Sequence, residues 1–407
     1  MTGLIFKNEY SYSEKIQQMQ NDAIYDIGFD SDTQNAGLKA ANKILCTNKR
    51  MTSHKLFLSN NCVFNCAYCG FRCQKEKDYA YTFTPKELAK LAVEQAKIHK
   101  QGIFISSAIY KNADYTQELI SKTLKIMRND LGYKGFIHAK VMPGADPIVI
   151  HETGLYANRL SVNIEVAKSS GYEKIAKQKN KNNIINPMTE IYEQIQEHSK
   201  NNNIFATSQT TQLMAGSTNE DDRTIMRLST ALYKKFNLKR IYYTAFTYKE
   251  QAKGYEEEQL PIIRVPHWRM VRLYQADRLT QLYGFCFNDV TPESNPFLNE
   301  DIDPKAAWAL RNMDIFPIEV NKVDFNTLIR VPGIGLVYAK KIIEARRYCK
   351  ITHNMMRRMK IPMDKCSYFI TCNGKFEKDR KVSEENIKSV LVSKHTQISI
   401  YDLLMQE

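Results

Sequence analysis

No stretch of the 407 residues approaches the apolar length of a membrane span, which needs about 20 consecutive apolar residues. The opening residues, Met1-Thr-Gly-Leu-Ile-Phe-Lys-Asn-Glu, lack the basic-then-apolar order and cleavage site of a secretory leader. The nine cysteines are odd in number and irregularly spaced outside one loop, so they do not form a disulfide framework and fit a reducing compartment. These absences predict a soluble, cytoplasmic protein with no membrane partner. What is present points to folded domains. With 43% hydrophobic and 25% charged residues the chain can bury a sizeable interior, and its length predicts two or three domains. An excess of 58 Lys and Arg over 44 Asp and Glu favours a polyanionic partner, without choosing between DNA, RNA and an acidic protein.

The chemistry-bearing stretch is Cys62-Val-Phe-Asn-Cys66-Ala-Tyr-Cys69, which follows an apolar run at Leu56–Leu58. Three thiolates on one loop can hold three corners of a [4Fe–4S] cube, and four are needed to close it. The open iron is what S-adenosylmethionine chemistry requires: the amino and carboxylate groups bind it, and an electron from the cluster cleaves the sulfonium. Two other readings stay open. A zinc knuckle would use Cys73 as fourth ligand, but such sites usually draw on two separated pairs. A ferredoxin run also has Cys73 at the right offset, but Gln74 stands where that pattern has Pro and no second Cys run follows. The remaining Cys349, Cys366 and Cys372 fit no standard metal spacing and are expected to be buried thiols.

Residues 1–54 are mixed and polar, with helix signals at Ser11 onward and at Ala36–Ile44, and with Cys46 as a bystander. From Leu56 to about Phe285 strand-like runs alternate with stretches of helical period. The strands are expected at Leu56–Leu58, Ile103–Ser106, Phe136–Val141, Leu160–Ile164, Ile204–Thr207 and Ile241–Ala245. The helices are expected at Pro85–His99, Thr116–Arg128, Pro147–Tyr156, Met188–Ser199, Glu220–Phe236 and Pro266 to about Tyr283. Strand–helix alternation of this kind argues an α/β fold with a parallel sheet, here a partial (β/α)6 barrel. Reacting groups in such folds gather at the carboxyl ends of the strands, where the cysteine loop lies. Pro292, Pro296, Pro304 and Pro317 then break the pattern. The expected organisation is an N-terminal helical extension (1–54), the barrel (55–285), a linker (286–320) with a short helix around Trp308, a small all-α domain (321–380) and a tail (381–407).

In the small domain, Asp324 can cap a helix carrying Phe325, Leu328 and Ile329. Val331-Pro-Gly333-Ile-Gly335 makes a tight turn, and a second helix with Val337, Ile342 and Ile343 packs back. This resembles the helix-hairpin-helix motif, in which two glycines let backbone N–H groups approach a phosphate. Such contacts grip the backbone without reading bases. Lys340, Lys341, Arg346 and Arg347 supply a positive flank. Between residues 340 and 380 twelve Lys and Arg stand against four Asp and Glu, more than half of the chain's surplus of +14. A protein-docking hairpin is the alternative; the basic run favours nucleic acid, DNA ahead of RNA.

The Cys-x3-Cys-x2-Cys spacing with Tyr68 before the last Cys resembles the signature of the radical S-adenosylmethionine superfamily. The resemblance implies that Tyr68 packs near the adenine and that a polar residue ending the fourth strand, Asn163 or Glu165, meets the ribose. Ser106 and Ser107 stand where many members have Gly-Gly-Glu to receive the methionyl amine, so hydroxyls or backbone carbonyls must substitute. Gly216, in the turn Ala215-Gly-Ser-Thr-Asn-Glu220, is a candidate adenine contact.

More narrowly, Pro143-Gly-Ala-Asp146, Arg159-Leu-Ser-Val-Asn-Ile-Glu165, Arg272-Leu-Tyr-Gln-Ala-Asp277, Asn321-Lys-Val and Tyr368-Phe-Ile-Thr-Cys372 join the cysteine loop and the hairpin. Together they resemble the radical S-adenosylmethionine family assigned to DNA modification or repair, often encoded beside a uracil-DNA-glycosylase-like protein. The resemblance spans about Lys55 to Gly374. It implies a DNA-directed radical enzyme that uses a [4Fe–4S] cluster, S-adenosylmethionine, and an electron donor such as flavodoxin or ferredoxin. A base inside a duplex would have to be extruded or met single-stranded. Tyr242, Tyr243 and Cys286 are candidates to return a hydrogen atom or stack on a base, although 23 tyrosines favour core packing for the first two. An RNA-modifying enzyme is the alternative, weakened by the lack of a further Cys trio before the loop. A non-enzymatic nucleic-acid-binding protein with a structural metal is the third reading.

Overall fold

The computed structural model describes residues 11–23, 53–73, 80–246, 265–377, 387–388 and 391–392. They fall into two compact units, one within Met1–Glu220 and Leu228–Met270, the other within Asp221–Arg227 and Val271–Glu407. The expected helix at Ala36–Ile44, Cys46 and most of the tail lie outside the described residues.

The first unit is built on six parallel strands in sequence order: β1 (Ser53–Phe57), β2 (Gly102–Ser106), β3 (Ile137–Lys140), β4 (Arg159–Ser161), β5 (Ser208–Ala215) and β6 (Arg240–Ala245). They form the curled sheet of a partial (β/α)6 barrel. Helix α1 (Tyr12–Ala23) precedes them. Between strands run α2 (Pro85–His99), α3 (Ala113–Lys125), α4 (Pro147–Tyr156), α5 (Ser170–Ile175), α6 (Lys181–Asn201) and α7 (Asp222–Phe236). Helix α8 (His267–Leu282) follows β6.

Local chemistry explains where the helices start. Thr84 caps α2 and forms a reciprocal capping box with Glu87, with Pro85 at the first turn; such a cap contributes about 1 kcal/mol. Asp146 caps α4 by accepting from Ile148 N at 2.8 Å, ahead of Pro147. Asn112 caps α3 by accepting from Tyr115 N at 2.8 Å, which starts that helix earlier than its apolar period suggests. Asn180 does likewise for α6, far ahead of the expected Met188.

The ladder register sorts strand residues into two faces. Leu56, Ile105, Ala139 and Leu160 are mutually opposite and fully buried. This outer face meets the helices: the Tyr243 hydroxyl donates to Ser229 Oγ of α7 at 2.9 Å, and His54 stacks on His99 of α2. On the inner face Lys55, Phe104, His138, Arg159 and Ser208 stand opposite one another in succession. This polar inner face explains the one displaced strand. The expected strand at Ile204–Thr207 is not a strand. Ile204 is exposed, Phe205 stacks on His198 with ring centroids 4.6 Å apart, and β5 begins only at Ser208. Its Ser-Gln-Thr-Thr-Gln start hides it from a search for apolar runs.

The second unit is mainly helical, with α9 (Phe287–Val290), α10 (Pro304–Arg311), α11 (Phe325–Leu328), α12 (Leu336–Ala345), α13 (His353–Arg358) and α14 (Met363–Cys366). It is not all-α: a two-residue parallel ladder joins β7 (Ile318–Glu319) to β8 (Ile370–Thr371). An edge-to-face chain of Phe285, Trp308, Phe316 and Phe369 runs through its core. Glu319 locks the ladder, accepting from the backbone N–H groups of Asn321, Asn373 and Gly374 and from the Thr371 hydroxyl.

Candidate active site

The cysteine loop leaves the carboxyl end of β1 and is fastened on three sides. Leu58 N donates to Ser106 O, and Ala108 N to Ser59 O, so the chain continues β1 alongside the end of β2. Ser59 and Asn60 bond Tyr81 through their side chains. Val63 N reaches Ile109 O and Ala67 N reaches Ile175 O at the end of α5. Phe71 packs edge-on against Phe57 of β1, 5.0 Å between ring centroids.

Within the loop Cys62 and Cys66 are buried, Cys69 is half-buried and Cys73 is exposed; none is in a disulfide. Cys62 Sγ accepts from Phe64 N and Cys69 Sγ from Phe71 N, each at 3.4 Å. Backbone N–H groups aimed at sulfur suit thiolates, and in iron–sulfur sites such bonds tune the potential. Burial pushes the Cys66 thiol up to about 12 and Cys69 to about 11; the neighbouring thiols add to both shifts, while Lys179 opposes them. The three groups thus sit within reach of one another's charge. Among the described residues no three His, Cys, Asp or Glu converge as for a single metal ion. Three free thiols on one loop are the ligand number that leaves one corner of a [4Fe–4S] cube open.

Beside the thiols lies a group that sequence reasoning missed. Lys179 Nζ donates to Tyr68 Oη at 2.9 Å and to Glu165 Oε1 at 3.1 Å. It also lies 5.5 Å from the centroid of the Tyr68 ring. Glu165 is buried, and burial acts to raise its pKa, yet Lys179, Lys140 and hydrogen bonding hold it below 4.5. Lys179 is pushed the opposite way, above its usual value, because Glu165 and the thiols outweigh its own burial. Glu165 Oε2 is buried and has no hydrogen-bond partner. Nothing in the local sequence Ala176-Lys-Gln-Lys179-Asn sets this lysine apart.

The other expected cofactor contacts lie at the same ends of the strands. Strand β4 stops at Ser161, earlier than the expected Ile164. Ser161 pairs with Thr210, but Glu165 rather than Ile164 bridges Leu213, so one extra residue bulges from the ladder. Glu165 there adopts φ +62°, and the simple alternation of Ser161, Asn163 and Glu165 on one face breaks at this bulge. Ser106 ends β2 buried, and the Ser107 hydroxyl donates to Ala108 O. Gly216 follows β5 at φ +78°, and a Cβ there would lie 2.2 Å from Val265 Cγ2. Its N–H and that of Thr218 both donate to the buried Glu220 carboxylate.

Of the three candidates for the radical step, Tyr242 lies on the inner face and Tyr243 on the outer, bound to Ser229. Cys286 is in the second unit, exposed at the start of α9. In that unit Cys366 and Cys372 are buried against Met363 and Met356, each Sγ 3.7 Å from the methionine sulfur. Cys349 is exposed, against the expectation of a buried thiol, and among the described residues the three form no group that could hold a metal ion.

The hairpin is formed by α11, the turn and α12. Asp324 caps α11 by accepting from Thr327 N at 2.7 Å. Gly333 adopts φ +82°, and a Cβ there would lie 3.0 Å from Lys365 Cβ. Gly335 caps α12 in an extended conformation. Lys340, Lys341 and Arg347 are exposed. Arg346 instead donates to Val320 O and Val323 O and so holds the chain ahead of α11. Val337 is 65% exposed rather than packed back; Ala339 and Ile342 fill that role.

No protein-family model and no curated protein matches the chain by sequence. Several solved structures are similar in fold. The FeFe-hydrogenase maturase HydG from Carboxydothermus hydrogenoformans is 14% identical over 66% of this chain and 63% of its own, with a TM-score of 0.44. Methylornithine synthase (PylB) is 13% identical over 67% of this chain and 74% of its own, TM-score 0.43. Coproporphyrinogen III oxidase (HemN) from Escherichia coli, a radical SAM enzyme, is 15% identical over 59% and 55%, TM-score 0.35. Among the described residues no helix is long and apolar enough to cross a membrane.

Proposed function

We propose that the chain is a radical S-adenosylmethionine enzyme that acts on DNA, in base modification or repair. The observation that carries this reading is the set of three free thiols on one loop at the carboxyl end of β1, two of them receiving backbone N–H bonds. Cys62, Cys66 and Cys69 would hold a [4Fe–4S] cluster and leave one iron to S-adenosylmethionine. When bound, the two together supply a 5′-deoxyadenosyl radical after one-electron reduction by a donor of the flavodoxin or ferredoxin kind.

This chain's residues bind and orient. Tyr68, fixed by Lys179, offers an aromatic wall to the adenine. The unpartnered Glu165 Oε2 is an acceptor for a ribose hydroxyl, with Asn163 beside it. Ser106 and Ser107 stand in for the missing acidic motif by offering hydroxyl and carbonyl oxygens to the methionyl amine. Gly216 gives backbone access at the adenine. Tyr242, on the inner face, faces the substrate; Tyr243 packs.

The DNA is gripped through its backbone by Gly333 and Gly335, with Lys340, Lys341 and Arg347 as the positive flank. Arg346 positions the hairpin. A uracil-DNA-glycosylase-like protein is the partner that the family resemblance suggests. The test is to incubate the reduced, cluster-loaded protein and S-adenosylmethionine with genomic DNA and, separately, with total RNA, then compare digested nucleosides by mass spectrometry. A changed deoxynucleoside supports the proposal. A change in RNA alone, or in neither, overturns the DNA assignment.

A further inference from the structure

We propose that Tyr348 stacks on an unpaired base, so that the DNA received by the second unit is single-stranded or locally open. The inference deepens the reading above and rests on it in taking DNA as the partner of the hairpin.

Tyr348 stands on the turn that closes α12, and it is 84% exposed. Among the described tyrosines the next most exposed is Tyr115, at 36%, and that ring packs against Tyr110 and Lys111. The exposure of Tyr348 is not the fraying of a helix end. Its backbone N–H donates to Ala345 O at 3.1 Å, and that of Cys349 reaches the same carbonyl at 3.2 Å. The chain is also pinned on both sides of it. Ahead of it, the Arg346 guanidinium donates to Val320 O and Val323 O. Behind it, Ile351 is fully buried, and its N–H donates to Asn321 Oδ1 at 2.7 Å. The Ile351 carbonyl accepts from the side-chain amides of Asn321 and Asn373. A ring held outward on a fixed turn loses little conformational freedom when a partner covers it.

The surroundings of the ring select the partner. Arg347 and Lys350 flank it and are exposed, and from Lys340 to Lys350 five cations stand against one acid, Glu344. A polyanion that also carries flat aromatic faces suits both the charge and the ring. Bases offer such a face where they are unpaired or unstacked, whereas neighbouring pairs cover it in a closed duplex. Phosphate contacts do not separate the two forms, because they grip the backbone without reading bases. The ring therefore adds what the turn at Gly333–Gly335 lacks. The two lie at opposite ends of the ten-residue α12, about 15 Å apart at 1.5 Å per residue, so one strand can meet both.

The test uses the full-length protein and follows binding by fluorescence anisotropy. The probes are a mixed-sequence DNA strand of about twelve nucleotides, its blunt duplex, and a strand of equal length built from abasic sites. The base-bearing strand is expected to bind at least about fivefold more tightly than the abasic one. Tyr348→Ala should erase that margin while leaving abasic-strand and duplex affinity and the thermal midpoint unchanged. Tyr348→Phe should keep the margin, since the ring face and not the hydroxyl stacks. The salt slope of Tyr348→Ala should equal that of wild type, because no phosphate contact is lost. Lys340→Gln with Lys341→Gln should instead weaken all three ligands. Equal affinity for the base-bearing and abasic strands, or a margin that survives Tyr348→Ala, would overturn the proposal and leave the phosphate grip standing. Failure of the wild-type protein to bind any of the three would overturn the DNA reading and this inference with it.

Discussion

Lys179 joins Tyr68, 111 residues earlier, to Glu165, 14 residues earlier, beside the thiols. Removing one partner of a nearly buried ion pair leaves the other charge uncompensated, which costs about 3–5 kcal/mol. Lys179→Met should therefore lower the stability of the metal-free protein by roughly that amount in urea titrations. The double variant with Glu165→Gln should recover most of the loss. The sign of the pH dependence follows from the two shifts. Glu165 is depressed, so its contribution is present above its unfolded value of 4.5 and is lost as pH falls through its folded value. Lys179 is raised, so its contribution is present below 10.5 and is lost as pH rises through its folded value. The stability gap between wild type and the single variants should stay flat from about pH 5 to pH 10 and shrink outside that window. A gap that widens on acidification would contradict the pairing. The cysteines were legible in the sequence because ligand spacing on one loop is a local property. Lys179 was not, because its role comes from partners that only the fold brings near.

The helices announced themselves where caps and proline coincide, as at Thr84-Pro85 and Asp146-Pro147, and there the expected starts match the observed ones. The fifth strand was expected too early, at Ile204–Thr207, because half of Ser208–Ala215 faces a polar interior and its apolar residues are diluted by Ser, Thr and Gln. The β7–β8 ladder was invisible for a different reason: two residues per strand carry no pattern, and Glu319 holds them by accepting backbone N–H bonds. Although burial raises its pKa, the N–H donors, Gly374 foremost, draw it down to about 2. Glu319→Gln should lower the thermal midpoint at neutral pH, and the difference should fade as pH drops from 4.5 toward 2, where the wild-type carboxylate is protonated as well. A difference independent of pH across that range would mean that shape rather than charge holds the ladder. Gly333→Ala meets both a left-handed φ and the close Lys365 Cβ, so it should destabilise the second unit by about 1 kcal/mol or more. Unchanged denaturation would show that the turn tolerates a side chain.

At the scale of the molecule, part of the net charge of +14 lies on the exposed Lys340 and Lys341 of α12. If the hairpin grips DNA, affinity should fall steeply with salt and depend little on sequence. Lys340→Gln with Lys341→Gln should reduce the salt slope by about two, one for each phosphate no longer neutralised. A slope that does not move would place the grip elsewhere. The central claim, that three thiols hold a cluster with one iron open, is tested most directly by anaerobic purification and reconstitution. About four irons and four sulfides per chain are expected, with 5′-deoxyadenosine formed from S-adenosylmethionine under dithionite. Exchange of any one of Cys62, Cys66 or Cys69 for Ala should abolish both. A single firmly held zinc, with S-adenosylmethionine left intact, would contradict it.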